Sequence, residues 1–133
     1  RKSPRLLALR ALPENDAMLP EDFEGQIRQL KEARKELRDF IDKTNCNPLM
    51  VRFAWHDSGT YDQRITTWPE CGGATGSIRF SPEMDMGANA GLPNAKQLLD
   101  EIAEKYPAVS WADLIQMASA LSVELAGGPK IDM

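Results

Sequence analysis

Asn47–Pro48–Leu49–Met50–Val51–Arg52–Phe53–Ala54–Trp55–His56–Asp57–Ser58–Gly59 reads as a helix that is apolar on nearly every side. Asn47 is a good N-cap, and Pro48 follows where a missing backbone N–H costs nothing. A stop is expected near Gly59. A helix of this composition is expected to be buried. Into its surface the sequence sets one arginine and one histidine four residues apart, so Arg52 and His56 project from one face with Trp55 beside it. A guanidinium buried without a partner is costly. No acid of the helix is placed to pair with Arg52, because Asp57 lies five residues on and off its face. Taken alone, the string also fits a hydrogen-bonded core histidine and an arginine in a structural ion pair.

On either side of this helix the pattern is helical too, and no convincing strand can be read. Phe23, Ile27, Leu30, Leu37 and Ile41 recur at three- and four-residue steps or their sums, which predicts a helix from about Glu21 to Asp42. Its other face, with Glu32 and Glu36 among Lys31, Lys35 and Arg38, is a solvated charged surface. A third helix begins near Pro93 and carries Ala95, Leu98, Leu99, Ile102 and Ala103. A fourth opens with Ser110 as N-cap and Asp113 three residues on. Leu114, Met117, Ala118, Leu121 and Leu125 form its stripe, and Gly127–Gly128–Pro129 ends it. Between the second and third helices lies a Gly-, Pro-, Thr- and Asp-rich loop from Thr60 to Gly91, long enough to imply a function or a packed surface. The fold class is therefore all-α, about four helices with a long irregular loop, and successive helices are expected to pack antiparallel.

Composition narrows the chemistry. The 133 residues suffice for one core. A net charge of −4 excludes the basic face that nucleic-acid binding needs. No apolar run reaches transmembrane length, so a soluble or peripheral chain is expected. The two cysteines, Cys46 and Cys71, have no C-x-x-C spacing; one disulfide could form, but reduced thiols in an intracellular compartment are the expectation. There is a single histidine, so a site needing two imidazoles cannot come from these residues alone. Residues 1–13 begin with four basic residues and no acid among the first ten, the composition of an organelle transit-peptide remnant or of a solvated tail. Gly72–Gly73–Ala74–Thr75–Gly76 lacks the Lys-Ser/Thr end of a phosphate cradle and opens no helix after a strand. His56, Asp57 and Ser58 cannot form a hydrolase triad, since neighbours in a helix point apart.

Pro48 to Tyr61 resembles the distal helix of class I haem peroxidases. Gly72–Gly73–Ala74–Thr75–Gly76–Ser77–Ile78–Arg79–Phe80 is similar to that family's Gly-rich loop, and Gly87–Ala88–Asn89–Ala90–Gly91–Leu92 to the stretch bearing its asparagine. Ala112 to Ala120, continuing through Gly127–Gly128–Pro129–Lys130–Ile131, is similar to the helix closing the distal half. The resemblance runs in order from about Phe23 to Met133. The Trp68–Pro69 insertion resembles the chloroplast type of ascorbate peroxidase, in keeping with the basic tail.

The resemblance implies a haem-peroxidase-like distal half over residues 14–133, haem b as cofactor, hydrogen peroxide as substrate and ascorbate as reductant. His56 would move the peroxide proton as base and then acid. Arg52 would stabilise the developing negative charge, and Asn89 would hold the far nitrogen of His56. Trp55, Arg52 and Pro48 would line the cofactor. The family's iron is held by a proximal histidine beside an aspartate. His56 cannot serve both sides, so the resemblance implies that this ligand comes from sequence beyond residue 133 or from a second polypeptide, and no metal ligand is assigned within the chain. Thr44, with Lys43 beside it, stands where the family places a lysine for ascorbate. A chloroplast location is expected, with the mitochondrion as alternative. Two other functional classes stay open: a peroxidase-like structural subunit of a larger organellar complex, and a sensor whose pocket takes another ligand.

Overall fold

The computed structural model describes residues 23–133. The tail assigned to residues 1–13 and the helix start expected at Glu21 lie outside them. Among the described residues are four α-helices, α1 (Phe23–Thr44), α2 (Asn47–Ser58), α3 (Leu92–Lys105) and α4 (Trp111–Leu125), with no strand. Two short 3-10 turns, Ser77–Arg79 and Gly87–Asn89, punctuate the long loop. No described helix is long and apolar enough to cross a membrane.

The apolar periodicity finds the buried face of α1 only in its second half. Leu37 and Ile41 are buried, whereas Phe23 is 66% exposed and Ile27 stands at the surface. The buried row instead runs through Gly25, Ala33, Leu37 and Ile41, at steps of eight, four and four residues. Beside its upper end, Gln26 Nε2 donates to Ala108 O at 3.3 Å and Gln29 Oε1 accepts from Ala108 N at 3.0 Å. Amide side chains and small residues do there what large apolar ones do lower down, so a search for large apolar side chains misjudges that turn. Asn45, at φ 53°, takes the left-handed conformation that ends a helix, which allows α2 to start two residues later.

The most extensive packing joins α4 to α2 and then to α1, with α3 against α2. The fourth helix is the central element and buries a wide face. Leu114, Ile115, Met117, Ala118, Ala120, Leu121 and Ser122 are all buried. Its start is as read: Ser110 Oγ accepts from Asp113 N at 3.0 Å and donates to the Asp113 carboxylate. Asn47 is corrected: Cys46 stands at the N-cap without a side-chain cap, and Asn47 is the first helical residue. Its Nδ2 reaches across to Ser122 O at 3.1 Å and fastens α2 to α4.

The loop after α2 is anchored from beneath by Asp57, which is fully buried. Its two oxygens accept from Gly76 N at 2.8 Å and Ile78 N at 3.3 Å. Gly76 sits at φ +74°, and a Cβ there would lie 3.2 Å from Ala112 N and 3.3 Å from Trp111 Cβ. Only glycine brings that turn close enough to α4 while presenting its N–H to Asp57. The Gly-rich loop is thus a packed seam against the helix that carries His56.

Candidate functional site

The helix bearing Arg52 and His56 is not buried all round. Met50, Phe53, Ala54 and Asp57 face the core, while Val51 is 37% and Trp55 69% exposed. The other helices cover only one side of α2. The remaining side borders an open groove of about 650 Å3 lined by Pro48, Val51, Arg52, Trp55, Val123 and Ala126 among others. Pro48, Arg52 and Trp55 therefore share one surface. His56 does not line the groove, but its ring meets Trp55 edge-on, with centroids 4.8 Å apart and planes at 87°.

One short turn serves both polar side chains. Asn89, buried in the turn Gly87–Asn89, places Oδ1 2.7 Å from His56 Nδ1. Its Nδ2 donates to Glu83 O at 2.7 Å, which sets the orientation of the amide. A carbonyl oxygen only accepts, so Nδ1 of His56 carries the proton of this bond. In the neutral imidazole Nε2 is then left with a free lone pair. The carbonyls on either side of Asn89 hold the arginine: Arg52 Nη2 donates to Ala88 O at 2.8 Å and Nη1 to Ala90 O at 3.0 Å. The partner sought for Arg52 among acids is backbone, a solution that side-chain inventories do not register. The two carbonyls fix the position of the guanidinium without bringing an anion to it.

Behind the site, Gln116 Nε2 donates to Ala54 O at 3.3 Å and to Ser58 Oγ at 3.1 Å, which clamps α4 to the last turns of α2. Asp57 lies off the Arg52 face, in keeping with its spacing, and anchors the loop. Burial raises its carboxyl above the ordinary 3.8, against the lowering effect of the two backbone N–H donors and the Arg79 charge. No local sequence signal ties Asp57 to Gly76, 19 residues on. Thr44 is exposed; its Oγ1 donates to Phe40 O at 2.8 Å and lies 3.2 Å from Cys46 Sγ. Both cysteines are free and half-buried.

Could the groove hold the flat macrocycle that the resemblance implies? Its floor is apolar, formed by Val51, Trp55, Val123 and Ala126, with one cation, Arg52, at the edge. That surface suits one face of an apolar disc. The only imidazole in the sequence is engaged with Asn89. The residues present thus fit the distal face and provide no histidine for the opposite one.

Comparison with known proteins agrees with this geometry. A family described as Peroxidase matches residues 31–133. Probable L-ascorbate peroxidase 8, chloroplastic, of Oryza sativa subsp. japonica is 56% identical over 105 residues, covering 79% of this chain and 22% of that protein. L-ascorbate peroxidase T, chloroplastic, of Arabidopsis thaliana is 48% identical over 114 residues, covering 86% of this chain and 27% of that protein. L-ascorbate peroxidase 5, peroxisomal, of Arabidopsis thaliana is 45% identical over 105 residues, covering 79% of this chain and 36% of that protein. The chain spans between 22% and 36% of the length of these three relatives. The crystal structure of the TL29 protein from Arabidopsis thaliana superposes with a TM-score of 0.59 at 27% identity, over 79% of this chain and 48% of that one. With its all-α fold and this match over most of its length, the chain belongs to the peroxidase family.

Proposed function

We propose that these residues form the peroxide-activating face of a haem peroxidase of the ascorbate peroxidase type, and that the iron ligand is supplied from outside them. The observation that carries the reading is the Asn89–His56 contact of 2.7 Å beside the carbonyl-held Arg52. Breaking the O–O bond of hydrogen peroxide requires a proton to leave one oxygen and reach the other. His56 Nε2, left basic by the bond at Nδ1, takes the first proton and returns it to the departing oxygen as water forms. Arg52 stabilises the negative charge that grows on that oxygen, and its preset position avoids reorganisation at the moment of reaction. Haem b, when bound, supplies the metal on which peroxide binds and the electrons that reduce it. Trp55, Pro48 and Val51 form the wall against which its ring would rest.

Ascorbate as the reductant is supported by the names of the relatives rather than by a contact in this structure, because Thr44 stands at the position expected for a lysine. The chloroplast is the location that the names of the most similar relatives support. The test is an absorption spectrum of the protein purified at its full natural length from its source. A Soret band that shifts when peroxide is added is expected. A colourless protein inert to peroxide would refute the reading and leave a structural role within a larger organellar assembly.

A further inference from the structure

A second groove, of about 330 Å3, lies away from the peroxide face and is lined by Arg79, Phe80, Lys96, Asp100, Glu104 and Trp111, with Ala103 beneath. Arg79 leaves the 3-10 turn Ser77–Arg79 with its guanidinium carbon 4.4 Å from the centre of the Phe80 ring and 5.7 Å from that of Trp111. Among the described residues this guanidinium makes no hydrogen bond or ion pair. The acid that acts on it electrostatically, Asp57, has both oxygens engaged by backbone N–H groups. Burial also lowers the Arg79 pKa from its ordinary value, so water solvates the cation incompletely. A partly desolvated cation with unused donors is a costly arrangement unless an acceptor completes it.

We propose that this groove binds a small monocarboxylate with a flat body, its carboxylate on the fork of Arg79 and its body on Trp111 and Phe80. The planar guanidinium matches a carboxylate with two parallel N–H···O bonds. Arg79 and Lys96 lie over parts of these rings, and the ring surface left open, chiefly on the exposed Phe80, supplies an apolar wall for the rest of the molecule. The remaining charges select against more highly charged anions. Lys96 Nζ is 5.3 Å from the Trp111 ring centre but is neutralised by Asp100 at 2.6 Å, and Glu104 adds another negative charge. With two cations and two carboxylates around the rim, a phosphate finds little net attraction, whereas a single carboxylate needs only the unpaired Arg79. The site is independent of the peroxide chemistry proposed above.

Benzoate is a suitable probe, titrated calorimetrically into the protein at its full natural length, with neutral benzamide and inorganic phosphate as controls. Saturable benzoate binding is expected, with benzamide failing to bind and phosphate failing to compete. Arg79→Gln should weaken binding about tenfold or more, as loss of a charge-assisted bond does. Phe80→Leu alters a side chain 56% exposed and should fold normally while also weakening binding. If Arg79→Gln does not fold, Arg79→Lys, which keeps the charge and loses the fork, takes its place. The proposal is overturned if benzoate does not saturate, if benzamide or phosphate binds equally well, or if the Arg79 and Phe80 variants retain full affinity.

Discussion

Asn89 binds the imidazole of His56 through its side chain while the carbonyls flanking it, those of Ala88 and Ala90, hold Arg52. The base and the cation of the proposed chemistry thus take their positions from a single 3-10 turn. Four residues of helical spacing set their separation from below, and the turn fixes their outer ends from above. Neither side chain can move far without disturbing an interaction that also constrains the other. Preorganisation here comes from backbone geometry in a loop rather than from a salt bridge.

Removing the amide of Asn89 should therefore act through His56. In the full-length haem-loaded protein, Asn89→Ala is expected to slow the reaction with peroxide by about 10–100-fold, the usual cost of losing an outer partner. His56→Ala should slow it by about 10²–10⁴-fold, with haem content unchanged. The double variant should be no slower than His56→Ala alone, since the Asn89 carbonyl oxygen can reach the chemistry only through the imidazole. Stopped-flow rates measure all three. Strictly additive losses would show that Asn89 works independently of the imidazole.

Arg52→Leu separates charge from structure. Its two partners are carbonyls at an exposed surface of the turn, which water can solvate when the guanidinium is gone. Thermal unfolding should move little, while the peroxide reaction slows by about 10²–10³-fold, as for loss of a preorganised charge-stabilising donor. Should the variant unfold instead, Arg52 is a structural clamp for residues 88–90, and the electrostatic role fails.

The fold class was legible because the apolar spacing of α3 and α4 and the Ser110–Asp113 cap are local signals. Leu99, Ile102, Leu114 and Leu121 are buried where the spacing places them. At the site, Arg52 and His56 were legible from four-residue spacing, and Asn89 only through resemblance, since nothing local shows that a loop 33 residues away returns to the helix. Two features were misread for a physical reason. An apolar helix face looks the same in sequence whether it meets a core or an open groove, so the exposure of Val51 and Trp55 was hidden. The role of Asp57 depends on backbone N–H groups, which every residue but proline carries and which no sequence pattern displays.

Asp57→Ala should be among the most destabilising single changes among the described residues. It would leave the buried N–H groups of Gly76 and Ile78 without acceptors, each costing about 1–3 kcal/mol. Urea unfolding would register this as a lower midpoint with an unchanged slope. A midpoint equal to that of the parent protein would mean that water replaces the carboxylate and that the loop is not anchored there.

The pH dependence follows from two carboxyl groups shifted in opposite directions. Burial raises the Asp57 carboxyl in the folded state, so between 3.8 and the raised value the native protein holds more protons than the unfolded chain. Stability from this group therefore falls as pH rises through that window. Glu36 behaves oppositely: hydrogen bonds from Lys105 Nζ at 2.5 Å and Tyr106 OH at 2.7 Å hold its carboxyl below the ordinary 4.5. Its contribution is present above 4.5 and is lost as pH falls through the lowered value. The pair lies near the surface, where solvent screens it, so Glu36→Gln should cost less at neutral pH than Asp57→Ala. Unfolding midpoints measured from about pH 3 to 7 should show the Glu36→Gln loss disappearing in acid as the parent carboxylate protonates. A loss that stayed constant across that range would mean that Glu36 acts through packing between α1 and α3 rather than through its charge.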